Sequence, residues 1–166
     1  ANGIEVSNTT AYFIIRNCYV HDGGEYGDGI IYFYNVTNGV LDNVLVENGY
    51  YQGILLISSS NNRISNSTVE NTQVECGIFL NNSDNNIIEN NTCRNNKIVG
   101  IYLQYYSDNN LIRNNIAENN NTGISLEPYL YNNLIENNLA TNNIWHGISV
   151  VNSSNNTISN NTCKNN

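Results

Sequence analysis

Twelve tyrosines and a single tryptophan stand out in a 166-residue chain that is otherwise rich in small polar residues. Tyr50, Tyr51, Phe79, Tyr102, Tyr105, Tyr106, Tyr129, Tyr131 and Trp145 recur along it at short distances. Aromatic rings stack on sugar faces, and a phenol or indole adds a hydrogen-bond donor. Among these aromatics stand Glu75, Glu127 and His146, with Asp28 further upstream. Glycosidases need two carboxylates at a set separation. Lyases and epimerases need a base, with a cation or Arg to neutralise a uronate. The acids here are spread over several repeats in no recognisable constellation, and no basic residues cluster beside them. Phe79, Tyr102, Tyr105, Tyr106, Glu127, Tyr129, Trp145 and His146 are therefore read as a ligand-binding set, with catalysis by the same acids as the alternative. A glycan and another protein domain are both open as the partner.

Other chemistry finds less support. The stretch His21-Asp22-Gly23-Gly24-Glu25-Tyr26-Gly27-Asp28 reads as a protruding loop. It is either a cation site or catalytic corner, or a Gly-rich insertion with solvated acids. No Cys-x-x-Cys occurs, there is no Met, and the two His lie far apart, so no metal or cofactor is expected. The four cysteines read as small buried hydrophobes. A net charge of −8 argues against nucleic acid, which needs a basic face. No apolar run reaches the ~20 residues of a membrane span.

What positions the aromatic residues is a repeat. Gly-Ile pairs begin at Gly3, Gly29, Gly53, Gly77, Gly100, Gly123 and Gly147, at intervals of 26, 24, 24, 23, 23 and 24 residues. A fixed period in this range marks a solenoid. Within each copy the apolar residues alternate, as in Ile101/Leu103 and Ile124/Leu126, which means a strand with one buried face. A second apolar column runs Ile15, Leu41, Ile64, Ile88, Ile112, Ile135, Ile158. A third runs Val20, Val46, Val69, Cys93, Ala117, Ala140, Cys163. Three short strands per turn describe a parallel β-helix. Asn makes up 39 residues and falls between the columns. The series Asn17 to Asn160 and Asp22 to Asn165 read as left-handed corners whose amides stack from coil to coil. The outward column of the first strand reads Glu5, Ile31, Leu55, Phe79, Tyr102, Ser125, Ser149.

The pattern GIxLxxSxxNxIxNNxxxNN resembles the parallel β-helix repeats of carbohydrate-binding and sugar-hydrolase domains, including the NosD-like surface and periplasmic proteins. The resemblance implies an all-β, right-handed, single-stranded parallel β-helix of the pectate-lyase-like type, with about seven coils of 23–26 residues filling 1–166 as one domain. It implies a secreted or cell-surface location and, because relatives bind polysaccharide along a lateral groove, a glycan partner. It does not choose between binding and catalysis. A copper-delivery role by analogy with NosD finds no Met or His cluster to support it. Asn8, Asn35, Asn81 and Asn152 are the best-placed glycosylation acceptors should the chain be secreted.

Two further expectations concern contacts. Neither end carries an evident cap, so the chain is either an excerpt of a longer one or a unit that stacks head to tail into a filament. On the outward side of the second strand, Arg113 falls between Glu89 and Glu136; on the third, Arg94 falls between Glu70 and Glu118. Stacked opposite charges fix register. Arg113→Glu is expected to lower the melting temperature at low salt through repulsion with both neighbours.

Overall fold

The computed structural model describes residues 3–23 and 29–166. Among them are 21 strands and no helix. The first coil consists of β1 (Ile4–Thr9), β2 (Phe13–Arg16) and β3 (Tyr19–His21), and each later coil repeats the triplet. Equivalent strands stack in parallel into three seven-stranded sheets, here A, B and C in chain order. Ile78, Ile101 and Ile124 are direct vertical partners. The second column stacks from Ile15 to Ile158 and the third from Val20 to Cys163, residue over residue. Their side chains, with Phe33, Leu56, Leu80, Leu103 and Leu126 of sheet A, form one continuous buried core.

Sheet C carries the smallest core residues for a steric reason. Where the chain turns from sheet C into sheet A, the coils pass very close. A Cβ at Gly100 would lie 2.7 Å from the Gly123 carbonyl and 3.2 Å from Ala117 Cβ. At Gly123 it would lie 2.5 Å from the Gly147 carbonyl. Gly53, Gly77, Gly100 and Gly123 thus provide space for the neighbouring coil.

The second coil departs from the expected phase. Ile4 pairs with Ile31, and Ile31 with Ile54, so Ile30 occupies the place that Gly holds elsewhere. Ile31 points inward and Tyr32 outward, which corrects the outward column to Glu5, Tyr32, Leu55, Phe79, Tyr102, Ser125, Ser149. A one-residue slip exchanges the two faces of a strand. This phase buries Ile31 and Phe33, with Phe33 edge-on to Phe13 at 5.5 Å. The other would have buried the hydroxyls of Tyr32 and Tyr34, at the cost of desolvating them.

Most Asn-Asn pairs at the corners divide one task between two residues; in Asn81-Asn82 it is the second that has positive φ. The first Asn takes the left-handed conformation: Asn90, Asn114 and Asn137 have φ of 56°, 54° and 55°. The expected corner series from Asn17 to Asn160 and from Asp22 to Asn165 all share it, as does a third series that includes Asn61, Asn85 and Asn109. The amide ladder, however, belongs mainly to the second Asn, which is buried. Asn115 Nδ2 donates to the Ile88 carbonyl at 2.8 Å and to Asn138 Oδ1 at 3.0 Å. Its Oδ1 accepts from Asn91 N at 2.9 Å and Asn91 Nδ2 at 3.1 Å. Parallel ladders run through Asn62, Asn86, Asn110 and Asn133, and through Asn96, Asn120 and Asn143. Left-handed backbone next to a satisfied buried amide explains why Asn follows Asn.

The outward charges form fewer pairs than expected. Glu89 sits between two arginines, accepting from Arg63 Nε at 2.6 Å and Arg113 Nε at 2.7 Å. Arg94 pairs with Glu70. Among the described residues Arg113 makes no ion pair with Glu136, and Arg94 none with Glu118, although both couples lie in register. Arg63, two strands away from Arg113, claims the other oxygen of Glu89 instead. Burial of Glu89 works to raise its pKa, but the two guanidiniums outweigh it and hold the carboxyl below its usual range. Of the cysteines, Cys76 and Cys93 are buried, Cys18 is partly buried, Cys163 is exposed, and all are free thiols.

Three outcomes follow for stability. Asn115→Ala should cost about 2–4 kcal/mol in chemical denaturation, because it strands buried amides of both neighbours. Asn114→Gly should change stability by less than about 1 kcal/mol, because Gly adopts the same φ freely. Since the folded pKa of Glu89 is depressed, its contribution is complete above about pH 4.3, its ordinary value, and is lost as pH falls through the folded value. Glu89→Gln should therefore destabilise clearly at neutral pH and progressively less on acidification, measured as urea midpoints.

Candidate functional site

The outer face of sheet A gathers aromatic rings and hydroxyls. Phe79, Tyr102, Ser125 and Ser149 stand in one outward column. Toward the corner with sheet C, Val99, Thr122 and His146 form a second. The corner itself builds a wall beside them. The Ile98 N–H donates to the Glu75 carbonyl at 3.0 Å and Trp145 N–H to the Asn121 carbonyl at 2.8 Å, so the corner residues stack coil on coil. Wall and sheet face enclose a groove of about 410 Å³ that spans four coils. Glu75, Ile98 and Trp145 line one side; Val99, Tyr102, Thr122, Ser125 and Ser149 lie along it; Glu127, His146 and Val151 complete it.

Geometry tunes several of these groups. The Tyr102 ring lies flat on Phe79, centroids 5.0 Å apart and planes 14° from parallel. Partial burial, reinforced by the Glu127 charge, pushes the Tyr102 phenol up to about 12. It therefore stays a hydrogen-bond donor throughout the neutral range. Ser125 Oγ donates to Glu127 Oε1 at 3.2 Å and orients the carboxylate. Cys76 also lines the groove, but burial, helped by the Glu75 charge, raises its thiol far above the ordinary value, which makes it a poor nucleophile.

The groove brings together part of the expected set. Tyr102, Glu127, Trp145 and His146 line it, joined by Glu75. Phe79 supports Tyr102 from behind and does not line the groove. Tyr105, Tyr106 and Tyr129 do not reach it. They sit past the other end of the sheet A strands, where the chain turns toward sheet B, and are 46%, 61% and 55% exposed. All three have positive φ, 42°, 54° and 63°, a conformation that bulky residues rarely adopt. Tyr50 packs edge-on to Tyr51 and borders a separate depression with Asp22 and Gln73. Val99, Thr122 and Cys76 were missed, although each occupies the place immediately before a Gly-Ile pair or its equivalent, which a stacked register exposes on the same face.

The remaining candidates fall elsewhere. Asp28 and the stretch 24–28 lie outside the described residues. His21 is on sheet C, stacked on Tyr19 at 4.6 Å, with Nδ1 2.7 Å from the Asp22 carboxylate. A larger, shallower depression of about 600 Å³ lies at the corner between sheets B and C, but its Arg94 and Glu70 are spent on each other. Among the described residues no three His, Cys, Asp or Glu side chains gather in a way that could hold a metal.

A three-sheet parallel β-helix with a lateral groove is an architecture shared by sugar-acting enzymes and by non-catalytic proteins, and this chain falls in that class. It belongs to the NosD family: residues 1–166 match the family described as periplasmic copper-binding protein (NosD). No curated protein matches the chain. Among solved structures it is similar to a periplasmic alginate epimerase, AlgG, crystallised as its T265N mutant, with a TM-score of 0.68 and 29% identity. That likeness covers 80% of this chain and 32% of the epimerase, so the chain spans about a third of the enzyme's length. The right-handed parallel β-helix expected from the repeat is what both likenesses describe. The copper in the family's description finds no matching donor set among the described residues, which offer two distant His and no Met.

Proposed function

We propose that this chain is a non-catalytic, extracytoplasmic β-helix domain that binds a glycan in the sheet A groove. The observation that carries the reading is the pairing of Trp145 and Tyr102, two aromatic rings on one groove with hydroxyls and carboxylates between them. Rings offer stacking faces to sugars, while Ser125, Ser149, Thr122 and the Tyr102 phenol offer hydrogen bonds of both polarities. Four coils at ~4.8 Å spacing give the groove a length of roughly 14 Å between its outer strands, enough for a short run of sugar rings. The family and the epimerase are both described as periplasmic, which supports a place outside the cytoplasm.

A second reading, a polysaccharide-acting enzyme, is favoured by Glu75, Glu127 and His146 sharing the groove and by the likeness to an epimerase. Against it stands the absence of any Lys or Arg among the groove residues to neutralise a uronate during proton abstraction.

A glycan array followed by calorimetry tests the binding reading. Trp145→Ala should weaken binding about tenfold or more, equivalent to ~1.4 kcal/mol or above, with the melting temperature unchanged. Release of reducing ends, or formation of unsaturated or epimerised product, that disappears in Glu127→Gln or His146→Ala would instead establish the enzyme.

A further inference from the structure

None of the seven strands of sheet A contains a lysine or arginine. The chain has six such residues. Arg16, Arg63 and Arg113 lie on sheet B, and Arg94 and Lys164 on sheet C. Lys97 precedes Ile98 at the corner but does not line the groove. Three of the arginines are also held by carboxylates, Arg63 and Arg113 by Glu89 and Arg94 by Glu70. The groove itself carries Glu75 and Glu127. Both carboxylates line this one groove together with Tyr102 rather than lying at unrelated points. The whole chain adds a net charge of −8.

Such a groove discriminates among glycans. An acidic polymer would bring each carboxylate against Glu75 or Glu127 without a cation to offset it. A neutral sugar would leave both acids without a charged partner. A protonated amine satisfies them: carboxylates accept short, charge-assisted hydrogen bonds from it. The faces of Tyr102 and Trp145 attract the same positive charge.

We infer, on the reading that this groove is a glycan site, that its ligand is a chain of amino sugars with free, protonated amines, not an acidic polymer of the alginate kind. Glu75 and Glu127 receive the amines, and Trp145 and Tyr102 stack on the rings that carry them.

The test uses the intact chain and three oligomers of equal length: β-linked glucosamine, its fully N-acetylated form, and a uronate. Calorimetry is run at mildly acidic pH, where the free amines are charged. The glucosamine oligomer should bind about tenfold or more tightly than the N-acetylated one. That margin should shrink with added salt and fall to about twofold in a Glu75→Gln, Glu127→Gln double variant. Equal affinity for the two forms would overturn the inference and leave glycan binding standing. So would a preference for amines that survives both substitutions. Tightest binding of the uronate would overturn it and favour the enzyme. Binding of none of the three, nor of any array glycan, would overturn both the inference and the proposed function.

Discussion

The buried asparagine amides at the corners are the constraint on which the rest of this molecule depends. A strand in a stacked sheet finds backbone partners above and below it. A corner does so only in part, because its peptide groups point in changing directions. Asn62, Asn115 and Asn120 supply the missing partners, each bonding to the coils on both sides. In a low-dielectric interior each such bond is strong, and an unmade one is expensive. A coil out of register would break several at once. Coil stacking is therefore held to one phase, and every outward column inherits its alignment from that phase.

This arrangement separates stability from recognition. Inward residues and corner amides hold the shaft, and the outward residues are left to vary. On sheets B and C the outward positions carry the charges, several of them paired. On sheet A they carry rings, hydroxyls and two acids, with no fixed cation. The groove depends on strands whose backbones do not move independently, so its residues are preorganised without a supporting shell of their own. Tyr102 shows how: its ring is fixed against Phe79 one coil above, at the stacking distance the sheet imposes.

Family membership and site chemistry point in different directions here. The fold is that of the NosD family throughout. Among the described residues, no three His, Cys, Asp or Glu side chains gather where they could hold copper. The likeness to a periplasmic alginate epimerase extends to the shaft, while the charge of the groove is opposite to what an acidic polymer requires. Solenoids permit this divergence because an outward substitution leaves the core untouched.

The repeat makes the shaft legible in the sequence alone. A period of 23–24 residues combined with alternation of two leaves few alternatives to stacked parallel strands, and the columns from Ile15 to Ile158 and from Val20 to Cys163 appeared in full. Left-handed corners were legible for the same local reason, since Asn tolerates positive φ. What tertiary structure decided were matters of phase and of neighbours across coils. The second coil slipped by one residue because burying Ile31 and Phe33 outweighed a coincidental Gly-Ile pair. Glu89 holds both Arg63 and Arg113, side chains 26 and 24 residues away from it in sequence. Tyr105, Tyr106 and Tyr129 parted from Trp145 and His146 because opposite ends of a short strand open onto different corners. Periodicity reports which face a residue occupies, but where along that face a groove closes depends on the stacking of corner residues such as Glu75, Ile98 and Trp145, and that is settled only when the coils are in contact.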